Sequence, residues 1–298
     1  MSNSSIATVI SVSHPFVTLR RGTETFRVAE DQVRDLVPGD RVVVEDTEDG
    51  IPMIVERVAR TSVLTRMSGD AMRRGGVRKP SAVAANVSLG VIVASADKPA
   101  FHPRFIDRYL LLLEMENIRP ALCITKADLR SRRDDAVALY GSLDMPIVEV
   151  STVTGAGMDE LKAILRNQTA VFVGQSGVGK SSLVGALVPD VEIRTQEISA
   201  KTGTGRHTTT ASGLYEWEPG SAIIDTPGIR TLSIDHIPKD ELRFAFREFD
   251  AYASQCKFRD CLHLREPKCA VIGAMASGEI AKARYDSYVR MTEEIDPV

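Results

Sequence analysis

One segment narrows the possible folds of this chain more than any other: Gly174-Gln175-Ser176-Gly177-Val178-Gly179-Lys180-Ser181, followed by Ser182. It fits the pattern GxxxxGK[ST], comes after the strand-like run TAVFV and opens the helix-like run SLVGAL. A loop of this kind works only between a buried strand and a helix N-terminus. There its backbone N–H groups wrap a phosphate, the lysine reaches the outer phosphate oxygens, and the hydroxyl after it ligates Mg²⁺. The segment therefore predicts an α/β domain with a nucleoside-phosphate site at Gly174–Ser182.

The surrounding sequence agrees. Apolar runs SLGVIVAS, PALCIT, MPIVEVS, TAVFVG and SAIIDT alternate with helix-like stretches at 104–117, 129–141 and 157–167. That alternation predicts a mostly parallel sheet covered on both faces. Upstream, residues 6–66 read as short β-rich runs separated by turns such as Pro38-Gly39-Asp40, which suits a five-stranded OB-like barrel. Between the two lie Arg60, Arg66, Arg73, Arg74, Arg78 and Lys79 with only Asp70 against them. This stretch reads either as a solvated linker or as a connector that contacts nucleic-acid phosphates. The chain as a whole carries a net charge of −3, so a nucleic-acid partner would need such a local basic surface. The uncharged apolar stretch at 81–96 is too short to cross a bilayer, and the first residues lack the basic start of a signal peptide. A cytoplasmic monomer without membrane contact is the expectation.

A second set of motifs bears on the base. Thr125-Lys126-Ala127-Asp128 follows an apolar strand and resembles the guanine-reading NKxD pattern. Asp128 would accept from the two guanine donors that adenine lacks, and Lys126 would lay its aliphatic stem on the base. Thr125 stands where asparagine is usual. Ser151, ahead of Thr154-Gly155-Ala156-Gly157, sits where GTPases place a backbone donor for the guanine oxygen. Downstream, Asp225-Thr226-Pro227-Gly228 closes a buried strand as a DxxG motif. Asp225 would hold a Mg²⁺-bound water, and the Gly228 N–H would sense the γ-phosphate. In Gly205-Arg206-His207-Thr208-Thr209-Thr210, Thr209 or Thr210 is placed to close on Mg²⁺. Ile229 follows the DxxG where many GTPases carry a water-orienting glutamine, which leaves His207 either as the substitute or as a plain loop residue. The motif order is rotated: base motifs at 125 and 151 precede the phosphate loop at 174 and DxxG at 225. A circularly permuted P-loop GTPase domain accounts for that order.

Cys256, Cys261, His263 and Cys269 lie within fourteen residues. Three thiolates and one imidazole make a closed tetrahedral set suited to a structural Zn²⁺. The remaining Cys123 falls in a buried strand run. A final helix is expected to start at Ser277, with Glu279 in its first turn.

The permuted order together with GQSGVGKSS, GRHTTT, DTPG and CKFRDCLHLREPKCAV resembles the RsgA (YjeQ) family of GTPases over essentially the whole chain. The departures are TKAD for NKxD, and Ser88 in ANVSLG where many members carry an acid. The resemblance implies a protein that binds the small ribosomal subunit and its rRNA in late maturation and hydrolyses GTP to GDP there, with Mg²⁺ at the nucleotide and one zinc per chain. The reading divides the chain into an OB-like barrel at 1–67, a basic linker at 68–83, the permuted GTPase domain at 84–235 and a zinc-binding helical module at 236–298. The alternatives are a nucleotide-switched RNA-binding scaffold with negligible turnover, or a P-loop kinase of small molecules.

Overall fold

The structure is a computed structural model that describes residues 4–29, 33–47, 52–67, 80–188, 213–225 and 237–295. Five antiparallel strands form the N-terminal unit: β1 (Ser4–Ser13), β2 (Phe16–Arg21), β3 (Glu24–Ala29), β4 (Arg41–Asp46) and β5 (Pro52–Arg57). β1 pairs with both β2 and β4, β2 with β3, and β4 with β5, while β3 approaches β5 to round off a barrel. The period-two alternation places Val9, Val17, Leu19, Val42, Val44 and Ile54 inside. Next come β6 (Val63–Met67) and β7 (Pro80–Ala85), an antiparallel pair. The stretch read as a linker at 68–83 thus ends in a strand, because Ser81–Ala85 are apolar enough to pack beneath the next domain. Arg73, Arg74, Arg78 and Lys79 lie outside the described residues. Arg60 is not a phosphate contact in waiting: its guanidinium holds the buried Asp40 carboxylate with two bonds of 2.7 Å and donates to the Asp35 carbonyl at 2.8 Å.

The second sheet contains β8 (Leu89–Ser95), β9 (Arg119–Thr125), β10 (Ile147–Val150), β11 (Thr169–Val173), β12 (Gly213–Glu218) and β13 (Ser221–Asp225) in the order β10-β9-β8-β11-β13-β12. The five apolar runs are its five parallel strands. β12 was not anticipated; it is an antiparallel, half-exposed strand whose sequence GLYEWE lacks a buried-strand pattern. Helices α1 (Pro103–Met115) and α2 (Arg133–Tyr140) cover one face, and α3 (Met158–Leu165) and α4 (Lys180–Leu187) the other. In α1, Pro103 sets the first turn, and Ile106, Tyr109, Leu110 and Leu113 form the sheet-facing stripe. Leu111, Leu112 and Asp107 are buried as well, because a second layer lies over the helix.

That layer is the C-terminal region: the short helices α5 (Lys239–Leu242) and α6 (Asp250–Ala253), then α7 (Ala270–Ser277) and α8 (Lys282–Ile295). Phe246, Phe249, Tyr285, Tyr288 and Met291 join α1 and α2 in one continuous core. Ser277 ends a helix and does not start one. Its hydroxyl donates back to the carbonyls of Gly273 and Ala274 at 3.2 and 3.1 Å, and Gly278 at φ +84° closes α7. The last helix begins at Lys282.

The barrel is fixed to the sheet domain at the turn Pro38-Gly39-Asp40. The Ala85 N–H donates to Pro38 O, and the Asn86 side-chain amide to Gly39 O. Gly39 has φ +91°, and a Cβ there would lie 2.1 Å from the Ala85 carbonyl oxygen. Gly39→Ala should therefore cost about 3 kcal/mol in denaturant unfolding. Gly22→Ala, at φ +59° but with open space around it, should cost only about 1 kcal/mol.

Candidate functional site

The phosphate loop spans the end of β11 and the start of α4. Gly174, at φ +149°, passes so close to β8 that a Cβ would meet the Val93 carbonyl oxygen at 2.3 Å. Gly179, at φ +99°, precedes α4 without any side-chain cap, so the first-turn N–H groups are left for an anion. Ser181 and Ser182 are exposed at that turn. Lys180 folds back over the loop and donates to the carbonyls of Gly174 and Gln175 at 2.6 and 2.7 Å. Asp225, at the end of β13, is partly buried; burial pushes its carboxyl up, and the charge of Lys180 opposes the shift. Asp225 and Lys180, from separate motifs, thus share one electrostatic neighbourhood. His207, Thr209, Thr210 and Gly228 lie outside the described residues.

The base motif meets this loop directly. Thr125 is 4% exposed, and its hydroxyl sits between two carbonyls, Ala94 O at 3.2 Å and, closer still, Val178 O of the phosphate loop. Its side chain is therefore turned into the protein, where it fastens the motif to the phosphate loop. Lys126 takes φ +61° and stretches its ammonium group to Gly177 O at 3.1 Å and to Lys98 O. The Ala127 N–H donates to Val150 O at 3.2 Å, and Asp128 stands exposed at the tip of the turn.

Ser151 organises the neighbouring loop. Its hydroxyl accepts the N–H groups of Val153 and Thr154 at 3.2 and 3.1 Å, and its own N–H donates to Ala156 O at 2.9 Å. That N–H is engaged, whereas the N–H groups of Thr152 and Gly157 have no hydrogen-bond acceptor among the described residues.

The second candidate centre lies in the C-terminal region. The ligand atoms of Cys256, Cys261, His263 and Cys269 all fall within 4.8 Å of one another. Cys256 Sγ and Cys269 Sγ are 3.8 Å apart, and His263 Nδ1 lies 3.6 and 3.4 Å from them. A tetrahedral ion with bonds of about 2.3 Å to sulfur and about 2.05 Å to nitrogen would need edges of about 3.8 and about 3.6 Å. The set is thus pre-shaped for a metal ion. Burial, then the nearby Arg243 charge, hold His263 below the usual histidine range, which keeps a ring nitrogen available as a ligand. Burial pushes the Cys261 thiol up to about 12 and raises Cys269 too, a cost that a bound cation offsets. Cys256 is lowered: burial opposes this, but the Ala270 and Val271 N–H groups outweigh it. The Glu266 carboxylate braces the loop by accepting the N–H groups of Leu262, Leu264 and Arg265 at 2.7, 2.8 and 3.0 Å.

A model of the RsgA GTPase family matches residues 57–235. The chain belongs to the RsgA GTPase family. Among its relatives, the small ribosomal subunit biogenesis GTPase RsgA of Pseudomonas aeruginosa (strain LESB58) is 43% identical over 258 residues, covering 85% of this chain and 74% of the relative. The protein of the same name from Chlorobaculum parvum is 39% identical over 276 residues, 90% of this chain and 88% of the relative. Among solved structures, YjeQ from Thermotoga maritima superimposes with a TM-score of 0.79 at 31% identity, covering 99% of each chain. YloQ, described as a circularly permuted GTPase, gives 0.74 at 29% identity over 98% of this chain and 95% of its own. Membership in the RsgA family makes this chain a GTP hydrolase and accounts for the rotated motif order.

Thr125→Val keeps the shape and removes the hydroxyl, leaving the Val178 carbonyl without its donor. GDP affinity in a fluorescent-nucleotide titration should fall about tenfold, equivalent to about 1.4 kcal/mol, and Thr125→Ser should restore most of it.

Proposed function

We propose that this GTPase acts on the small ribosomal subunit in late maturation, hydrolysing GTP to GDP and phosphate with stimulation by the subunit. The observation that carries the reading is the convergence of Asp128, Lys126, Lys180 and Asp225 at one end of a sheet flanked by a barrel and a Cys₃His module. A small-molecule kinase has no use for those two appendages, and its phosphate loop needs no base motif. The names borne by the relatives support the ribosomal partner, and a cytoplasmic location follows from the proposal that this partner is its target.

In the chemistry proposed, loop N–H groups and the α4 N-terminus receive the phosphates, and Lys180 leaves its carbonyls to pair with the β- and γ-phosphates. The Ser181 hydroxyl, Asp225 through a water, and Thr209 or Thr210 would hold Mg²⁺, which neutralises charge on the β- and γ-phosphate oxygens when bound. Asp128 accepts from the guanine edge, and the Thr152 N–H donates to the guanine oxygen. Ile229 offers nothing to water, so His207 orients the attacking water in its place. Arg73, Arg74, Arg78 and Lys79 supply rRNA phosphate contacts.

The deciding experiment measures GTP turnover with and without isolated small subunits, alongside co-sedimentation with GTP, GDP and a non-hydrolysable analogue. Turnover alone should be about 10⁻⁴–10⁻² s⁻¹ and should rise strongly with subunits. His207→Ala should abolish that rise while leaving nucleotide affinity within about threefold. Subunit binding without stimulated turnover would favour the nucleotide-switched scaffold.

The metal we assign to Cys256, Cys261, His263 and Cys269 is zinc, since thiolate and imidazole donors in a closed tetrahedron suit it and leave no position for catalysis. Elemental analysis of the purified protein should find about one zinc per chain. Cys261→Ala should lose it and raise proteolytic cutting within 256–270.

A further inference from the structure

Arg284 of α8 is only 3% exposed, yet it carries a full charge across the junction between the C-terminal region and the sheet domain. It donates to Asp107 of α1 at 2.6 Å and to both Glu248 oxygens at 2.7 and 3.3 Å, with its guanidinium 4.7 Å from the Phe246 ring centre and 5.7 Å from that of Tyr140. A buried charged triad is poor at adding net stability, because desolvation consumes most of the attraction. What it does well is fix one geometry, since any slip leaves a charge unpaired in the interior.

Both ends of the elements it joins lead to a site. Ahead of α1, the loop after β8 places the Lys98 carbonyl where it accepts from the Ser95 hydroxyl at 3.1 Å and from the Lys126 ammonium. Lys126 also grips Gly177 O in the phosphate loop at 3.1 Å, and the nearest atom to a Cβ built on Gly177 would be Pro99 Cδ at 3.7 Å. On the other side, the residues beside and one turn after Arg284 hold the metal loop. The Tyr285 hydroxyl donates to His263 O at 2.8 Å, and the Tyr288 hydroxyl to Leu262 O. The path Gly177–Lys126–Lys98–α1–Asp107–Arg284–α8–His263 is joined by hydrogen bonds, ion pairs and helix, except between Lys98 and Pro103, where the short loop 99–102 makes the link.

We propose that Arg284 and Asp107 are positioning residues for the nucleotide site, acting through α1 on the Lys98 carbonyl that holds Lys126, and that this joint couples the guanine pocket to the Cys₃His loop. The coupling is a property of the isolated protein and goes beyond the ribosomal reading, so its test needs neither subunits nor a known metal. Reciprocity requires that what nucleotide does to the loop, the joint does to nucleotide.

The test is a double-mutant cycle on GDP affinity with purified full-length protein. Asp107→Asn should weaken GDP three- to tenfold in the wild-type background but less than twofold in a Lys126→Ala background, because its route is then already cut. Arg108→Ala removes a surface ion pair to Glu294 on the same two helices and should change affinity less than twofold in either background. In parallel, saturating GDP should slow amide hydrogen exchange at 261–264 in wild type, and Asp107→Asn should remove that slowing. Should Asp107→Asn fail to fold by thermal melting, Glu248→Gln, which loosens the same clamp from the far side, should give the same pattern at smaller amplitude. Equal losses in both Lys126 backgrounds, or GDP-independent exchange at 261–264 in wild type, would overturn the proposal.

Discussion

The contact on which the nucleotide site depends is the hydroxyl of Thr125 against the carbonyl of Val178. It joins the loop after β9 to the loop after β11, two strands separated in the sheet by β8. A base reader and a phosphate cradle serve one nucleotide only when their spacing is fixed to fractions of an ångström. A buried hydroxyl donating to the Val178 carbonyl provides that, since leaving that carbonyl without its donor is unfavourable. Lys126 adds a charged bond across the same gap. Circular permutation changes which motif the chain reaches first, but leaves this contact intact because it depends on strand order in space.

The C-terminal region illustrates a second constraint. Its short helices bury few apolar residues among themselves, and a piece this small cannot hold a fold by its own core. Two devices compensate. One is a Cys₃His cluster whose geometry can hold a metal ion, and the other is a core shared with α1 and α2 through Phe246, Phe249, Tyr285 and Tyr288. The C-terminal region and the sheet domain thus share one core. The same sharing explains why α1 is buried over so wide an arc and why Asp107, an acid on a helix, tolerates the interior: Arg284 meets it there.

The barrel is attached differently. It keeps a core of its own and touches the sheet domain through the Ala85 N–H to the Pro38 carbonyl, the Asn86 side-chain amide to the Gly39 carbonyl, the single strand register Ser11–Gly213, and the ion pair Arg20–Glu216. No helix of the described residues is long and apolar enough to cross a membrane.

By itself, the sequence determined the strand–loop–helix at Gly174–Ser182, the five parallel strands, the all-β character of the N-terminal unit and the Cys₃His cluster. These are legible because they rest on local rules: glycine where φ is positive, apolar periodicity, and ligand spacing along a short loop. It misplaced the last helix start at Ser277, because a serine hydroxyl serves a helix end as readily as a helix beginning and only the neighbouring backbone decides. It passed over β12, whose polar residues suit an exposed strand without spelling one. The tertiary structure alone decided that Arg60 is engaged by Asp40, that Thr125 faces the phosphate loop, and that Arg284 meets Asp107 across 177 residues of chain. Such pairings carry no local signature, since a buried ion pair is written as two charges that, read singly, belong on the surface.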